Sequence, residues 1–221
     1  MHYKLKVALM KNFITEQEKF WAGEFGCAYI ERNNDIKIAA SNLSLFSCIL
    51  SKTRDMHSVL EFGANIGLNL IAMRQLIPDL ELSAIEINET AIEQLKKNKI
   101  EKIYHQSILE FKTDYPRDFV LSKGVMIHIN PDYLQNVYDL LYQSSSKYIC
   151  LCEYYNPTPV AIPYRGWNEK LYKRDFAGEM LDRYHDLMLI DYGFVYHKDP
   201  VFPGDDMTWF LIEKKHNGSA T

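Results

Sequence analysis

The sequence predicts an α/β domain: a mostly parallel sheet with helices on both faces, closed by one antiparallel strand. Three observations carry this. Short apolar runs alternate with amphipathic helical stretches, the pattern of strand–helix–strand units. The run at 148–154 is apolar almost throughout, as a strand covered on both faces must be. The last two runs, 187–196 and 208–214, are separated by Pro200, Pro203 and Gly204 and by no helix, which calls for an antiparallel return.

The elements follow in order. Thr15 suits a helix N-cap, with Glu16 and Glu18 in the first turn, where acids oppose the helix dipole. Phe20, Trp21 and Phe25 form an aromatic face, and the helical region runs in pieces to about Arg32. A second helix is expected over 41–53, with Leu43, Phe46 and Leu50 at helical spacing. The first strand is 59–62, followed by a helix over 67–76 that ends before Pro78. Strand two is 80–87. Asn88 then caps a helix whose stripe is Ala91, Ile92 and Leu95. Strands three and four are 102–106 and 118–123, divided by the Tyr115-Pro116 turn. Asn130 and Pro131 open a helix carrying Leu134, Val137, Tyr138 and Leu141. After strand five come a loop rich in Pro and Tyr at 156–167 and a helix at 169–184. The sum is a Rossmann-like seven-stranded sheet (58–215) behind an N-terminal helical lid (1–57), with a loose tail at 216–221.

The turn after the first strand is the most specific signal. Glu61 closes the strand, and Gly63 and Gly67 bracket a turn that opens a helix, where a ligand approaches the backbone closely. A dinucleotide fingerprint starting at Gly63 needs glycine where Asn65 and Leu68 stand, and it fails twice. The E-x-G-x-G-x-G pattern of class I S-adenosylmethionine (SAM) methyltransferases fits at Glu61, Gly63 and Gly67 and departs only at Asn65. That departure is mild, because Asn tolerates positive φ. Glu86, followed by Ile87, ends the second strand where an acid accepts both ribose hydroxyls. The competing reading is a plain βα turn that binds nothing.

Bulk properties narrow the partners. A chain of 221 residues, 47% hydrophobic, suits one well-cored α/β domain. A net charge of −4 offers no basic footprint for nucleic acid. Cys27, Cys48, Cys150 and Cys152 show no CxxC and no metal spacing, and Cys150 and Cys152 share one face of a strand as core residues. The Met1-His-Tyr-Lys start lacks signal-peptide character and no apolar run approaches membrane-spanning length, so a cytoplasmic protein with no membrane partner is expected.

Over most of its length the chain resembles the methylases associated with pseudaminic acid biosynthesis, within the class I SAM methyltransferases. The resemblance is carried by Thr15-Glu-Gln-Glu-Lys-Phe-Trp-Ala-Gly-Glu-Phe-Gly26 with 29–33, and by Leu60-Glu-Phe-Gly-Ala-Asn-Ile-Gly-Leu-Asn69. It continues in Ser122-Lys-Gly-Val-Met-Ile-His-Ile-Asn-Pro-Asp132, Cys152-Glu-Tyr-Tyr-Asn-Pro-Thr-Pro159 and Ile162-Pro-Tyr-Arg-Gly166. Lys173-Arg-Asp-Phe-Ala-Gly-Glu-Met-Leu-Asp182 and Asp191-Tyr-Gly-Phe-Val-Tyr-His197 complete it. It implies methylation of a nonulosonic acid, such as pseudaminic or legionaminic acid, or of its activated form.

Methyl transfer from SAM needs alignment of donor and acceptor, and a proton removed from a hydroxyl or protonated nitrogen acceptor. His128, after strand four, is the candidate base; packing or cofactor contact is the alternative. Lys123 and Gly124 are placed at the methionine portion, and Gln106, Ser107 and Ile108 at the adenine, unless these three form only a turn. Glu153, Tyr154, Tyr155, Asn156, Tyr164, Arg165 and Trp167 gather aromatic and polar groups suited to a sugar, with Arg165 for its carboxylate. The alternative is a rigid surface loop. Tyr29 and Arg32 are assigned to the methionine carboxylate or the substrate, and His185, Asp205 and Asp206 to the C-terminal side. Other acceptors (a protein or an RNA base) and a non-catalytic SAM-binding partner of sugar-synthesis enzymes stand as alternatives.

Overall fold

The computed structural model describes residues 13–33 and 36–215; the expected tail and the first part of the lid lie outside them. Its strands are β1 (Ser58–Phe62), β2 (Glu81–Glu86), β3 (Lys102–His105), β4 (Arg117–Lys123), β5 (Ser145–Glu153), β6 (Val160–Tyr164), β7 (Trp167–Lys173), β8 (Leu187–Val195) and β9 (Met207–Lys214). Seven form one sheet in the order β3-β2-β1-β4-β5-β9-β8, with β9 antiparallel to both of its neighbours. The expected fold class is the observed one. Strand order reverses between β1 and β4, which opens a crevice at their C-terminal ends.

The helices are α1 (Glu16–Ala22), α2 (Glu24–Arg32), α3 (Ile36–Leu50), α4 (Leu68–Leu76), α5 (Glu89–Lys97), α6 (Leu134–Ser144) and α7 (Phe176–Arg183). Alternation along the strands divides the core between two faces. Val59, Phe119, Leu121, Cys150 and Cys152 face one layer, with Phe46 and Ile49 of α3, Leu70 and Met73 of α4, and Leu95 of α5. Leu60, Val120, Ile149 and Leu151 face the other, with Val137, Tyr138 and Leu141 of α6 and Met180 of α7. The two strand cysteines share a face as expected, and burial pushes the Cys152 thiol up to about 12. By packing, α3 belongs to the core, and α1 and α2 form the outer cover.

Two expected elements differ. The 156–167 loop and the 169–184 helix are instead a two-stranded hairpin, β6–β7, followed by a shorter α7. Arg165 (φ 49°) and Gly166 (φ 86°) form its two-residue turn, the positive-φ pair that matches strand twist. Pairing of Ile162 with Leu171 takes up the chain that local helix propensity would otherwise claim. The helix starts only where Asp175 caps it, its Oδ1 accepting from Gly178 N–H at 2.8 Å. The helix expected at 41–53 begins earlier, at Ile36, and the one opening at Asn130 starts as a 3₁₀ turn, Pro131–Tyr133.

The α1–α2 pair begins with a full capping box. Thr15 Oγ1 accepts from Glu18 N–H at 3.2 Å and Glu18 Oε2 from Thr15 N–H at 2.6 Å. Gly23 is extended and breaks the two helices apart. Its neighbour Gly26 is required by close approach: a Cβ there would lie 1.9 Å from the Trp21 carbonyl oxygen and 2.8 Å from Asn88 Nδ2. Gly26→Ala should therefore weaken seating of the cover by about 1–3 kcal/mol. Limited proteolysis should cut between residues 16 and 32 faster in the variant, and wild-type protection would refute the close-packing account.

Candidate functional site

A cavity of about 280 Å³ lies at the C-terminal ends of β1, β2 and β4, under α1 and α2. Its floor is the turn after β1. Gly63, Asn65 and Gly67 all have positive φ, so asparagine takes the left-handed conformation where glycine is usual. The N–H groups of Gly63 and Ala64 donate to the Ile85 carbonyl at 2.9 and 3.1 Å, which pins the turn to β2. Glu86 then clasps it. Its Oε2 accepts from Asn65 N–H at 2.7 Å, and its Oε1 from Ile87 and Asn88 N–H at 2.8 and 2.7 Å. Burial raises its pKa, opposed by those three backbone donors.

Glu61 differs from the expectation that it faces a ligand. It is 1% exposed and sits beneath the cavity wall, which Asn69 of α4 forms in its place. Asn69 Nδ2 donates to Glu61 Oε1 at 2.6 Å. Glu61 Oε2 and Asn69 Oδ1 are buried acceptors without a partner among the described residues. Burial pushes the Glu61 carboxyl up to about 8, with the Asn69 hydrogen bond and Lys123 opposing. An unsatisfied buried acceptor costs about 1–3 kcal/mol. Of the two residues only Asn69 lines the cavity, and its free Oδ1 suits a ligand that brings N–H donors.

Gln106, Ser107 and Ile108 line the far end, with Ile87. The Ser107 hydroxyl donates to Glu18 Oε1 and accepts from Leu109 N–H at 2.9 Å, so α1 reaches the end of β3. Lys123 and Gly124 border the opposite end. There His128 is nearly buried between Trp21 and Tyr164, ring centroids 4.6 and 5.1 Å away. Its Nδ1 donates to the Lys170 carbonyl at 2.5 Å, since that oxygen only accepts, which leaves the lone pair on Nε2. Burial lowers its pKa to about 4.

The substrate assignments divide. Tyr29 lines the cavity, packed edge-on against Trp21, and burial and Asp205 raise its pKa. Tyr164 packs on His128 and Phe25; Tyr154 lies under Lys173 and is pushed up to about 12, by burial first. Glu153 is turned inward, accepting from Ser122 Oγ at 2.8 Å, from Val125 and Met126 N–H both at 3.1 Å, and from Ile127 N–H at 3.5 Å. It shapes the loop that carries His128 and does not line the cavity. Tyr155 is exposed against Phe210, and Asn156 closes its own turn onto the Thr158 carbonyl at 2.5 Å. Arg32 is exposed beside Phe25, and Arg165 stands at the hairpin tip beside Tyr164. Asp205 lines the cavity, whereas Asp206 pairs with His197 at 2.8 Å.

Sequence reasoning missed Glu18, Asn69, Ser41 and Asn42 as lining residues. Asn69 stands eight residues after Glu61, two helical positions past Gly67, and that spacing was the available signal.

No protein-family model matches the chain, nor does any curated sequence. Solved structures do. The plantazolicin methyltransferase BpumL, in complex with SAH (S-adenosylhomocysteine), is 14% identical over 90% of this chain and 94% of its own, with a TM-score of 0.60. The Burkholderia thailandensis 1,6-didemethyltoxoflavin-N1-methyltransferase, bound to 1,6-didemethyltoxoflavin and SAH, is 10% identical over 90% and 87%, with a TM-score of 0.64. The glycopeptide N-methyltransferase MtfA, complexed with SAH, is 12% identical over 88% and 99%, with a TM-score of 0.61. The chain thus has the fold of the class I SAM-dependent methyltransferases.

The raised carboxyl of Glu61 has a signed consequence. Its contribution to stability is complete below its ordinary pKa of 4.5 and is lost as pH rises toward 8, because the unfolded chain ionises first. In ligand-free protein, Glu61→Gln should gain stability on wild type between about pH 5 and pH 8. Thermal unfolding at the two pH values would read this, and parallel shifts would show that Glu61 titrates normally.

Proposed function

We propose that the protein is a SAM-dependent methyltransferase acting on a small acidic sugar, a nonulosonic acid or its activated form, at oxygen or nitrogen. The observation that carries the cofactor reading is the unpartnered acceptor pair, Glu61 Oε2 and Asn69 Oδ1, beside a positive-φ turn clasped by Glu86. Asn69, backed by Glu61, would hold the amino group, and the Glu86 carboxylate the ribose hydroxyls. Gly63 and Asn65 would border the cofactor through their backbone, with Lys123 and Gly124 at its methionine end and Gln106, Ser107, Ile108 and Ile87 at its base. When bound, SAM supplies a methyl group already made electrophilic by its sulfonium.

The chain's own residues then position the acceptor and exclude water. Trp21, Tyr29 and His128 line an aromatic chamber under α1–α2, with Tyr164 packed against His128, and such faces stack on a sugar ring. Tyr29, its pKa raised, acts as a neutral hydrogen-bond donor. His128 Nε2 is free of a proton at neutral pH and can accept the acceptor's proton as the methyl bond forms. Arg165, beside Tyr164 at the hairpin tip, and Lys173, over Tyr154, would supply positive charge for a carboxylate. The solved neighbours named above differ in acceptor, so the acidic sugar rests on the family resemblance and this chamber. No helix among the described residues is long and apolar enough to cross a membrane.

Calorimetry should find SAH binding that Glu86→Ala weakens by roughly 10-fold or more, the scale of lost charge-assisted hydrogen bonds. Incubation with SAM and a nonulosonic acid should add one CH₂ to the sugar, and Arg165→Ala should raise KM with SAH affinity unchanged. Equal turnover of neutral sugars would sink the acidic-sugar reading. Because His128 is shifted to about 4, kcat/KM should show no limb near its ordinary 6.5, and a limb there that disappears in His128→Gln would contradict the buried geometry.

A further inference from the structure

We infer that Glu18 of the lid helix α1 is the acceptor that recognises the 6-amino group of a purine at the end of β3, so that base recognition and lid seating are one event. The inference rests on the cofactor reading above and adds a residue that no strand motif contains. Glu18 is 9% exposed and lines the cavity next to Ser107, with Ile87 and Ile108 close by as apolar walls for a flat ring.

Its hydrogen bonds leave one vacancy. A carboxylate has about four acceptor sites on its two oxygens. Oε2 is spent on the capping box, accepting from Thr15 N–H at 2.6 Å and Thr15 Oγ1 at 3.2 Å. Oε1 accepts from the Ser107 hydroxyl and has a second lone pair left. Capping needs only Oε2. The Ser107 contact does something else: it aims Oε1 at the end of β3, and it uses up the one hydroxyl proton that would otherwise compete for that oxygen. What remains is an oriented, buried acceptor at the edge of a flat apolar slot. An exocyclic amine only donates there, so it is matched. A 6-oxo group only accepts, and it would set two acceptors against each other.

The acid that reads the base therefore comes from the cover and not from the sheet. Because Glu18 is tied to Thr15 in the same turn, a base held by Oε1 also holds α1 down, and the Gln17 side chain carries that to the hairpin through the Glu169 carbonyl at 3.0 Å.

The test compares SAH with S-inosyl-L-homocysteine, its 6-oxo counterpart, by calorimetry. Wild type should prefer SAH by roughly 10-fold or more. Glu18→Gln, whose amide can donate to an oxo group, should bring the two within about 2-fold. Hydrogen exchange in α1 should slow with SAH and much less with the inosyl compound. Equal wild-type affinities would overturn the inference without any variant, and so would an unchanged preference in Glu18→Gln. Failure to bind SAH at all is a different result, and it would remove the cofactor reading together with this one.

Discussion

The site hangs from one carboxylate. Glu86, at the end of β2, gathers the Asn65 N–H from the turn after β1 and the Ile87 and Asn88 N–H groups from the start of its own loop. Asn88 then caps α5 through Oδ1 and donates from Nδ2 to the Trp21 carbonyl at 3.1 Å. A single chain of hydrogen bonds thus runs from the glycine turn through β2 and α5 to the cover. At Gly26 the cover meets that chain backbone to backbone, closely enough that no side chain fits.

Three buried glutamates stand at or next to the ends of three strands of the sheet, and burial raises the pKa of each. What separates them is how completely each is satisfied. Glu153 spends both oxygens on Ser122 and three backbone N–H groups, which marks it as a builder of the loop after β4. Glu86 takes three backbone donors and still fronts the cavity. Glu61 has one partner, Asn69, and one bare oxygen. A bare buried acceptor is costly to keep, at about 1–3 kcal/mol, so its presence beside a cavity marks ligand chemistry better than the motif letter does.

The aromatic residues show a similar reassignment. Read along the chain, Phe20, Trp21 and Phe25 belong to a helix, and Tyr164 and Trp167 to a distant loop. In space Phe20 packs on Trp167 and Phe25 on Tyr164, at 5.6 and 5.8 Å, and Trp21 and Tyr164 enclose His128 from two sides. Cover and hairpin are one structure. The enclosure also alters the histidine: removed from water and donating to Lys170, it is a neutral acceptor at physiological pH and no longer a group that titrates there.

The sequence by itself determined the sheet, the closing antiparallel strand and the turn, including asparagine's place in it. Period-two and period-3.6 patterns, caps and positive-φ residues are local, and local chemistry is legible along one dimension. It also pointed to the residues that line the cavity at strand ends, because strand ends converge in any sheet of this order. Only the tertiary structure decided which acid keeps a bare oxygen, that Glu153 faces inward, and that Arg165 and Gly166 turn a hairpin where a loop leading into a helix was expected. It alone brought Glu18 to Ser107, 89 positions away. Each of these depends on which donors meet which acceptors across long separations, and on burial that no window of sequence contains.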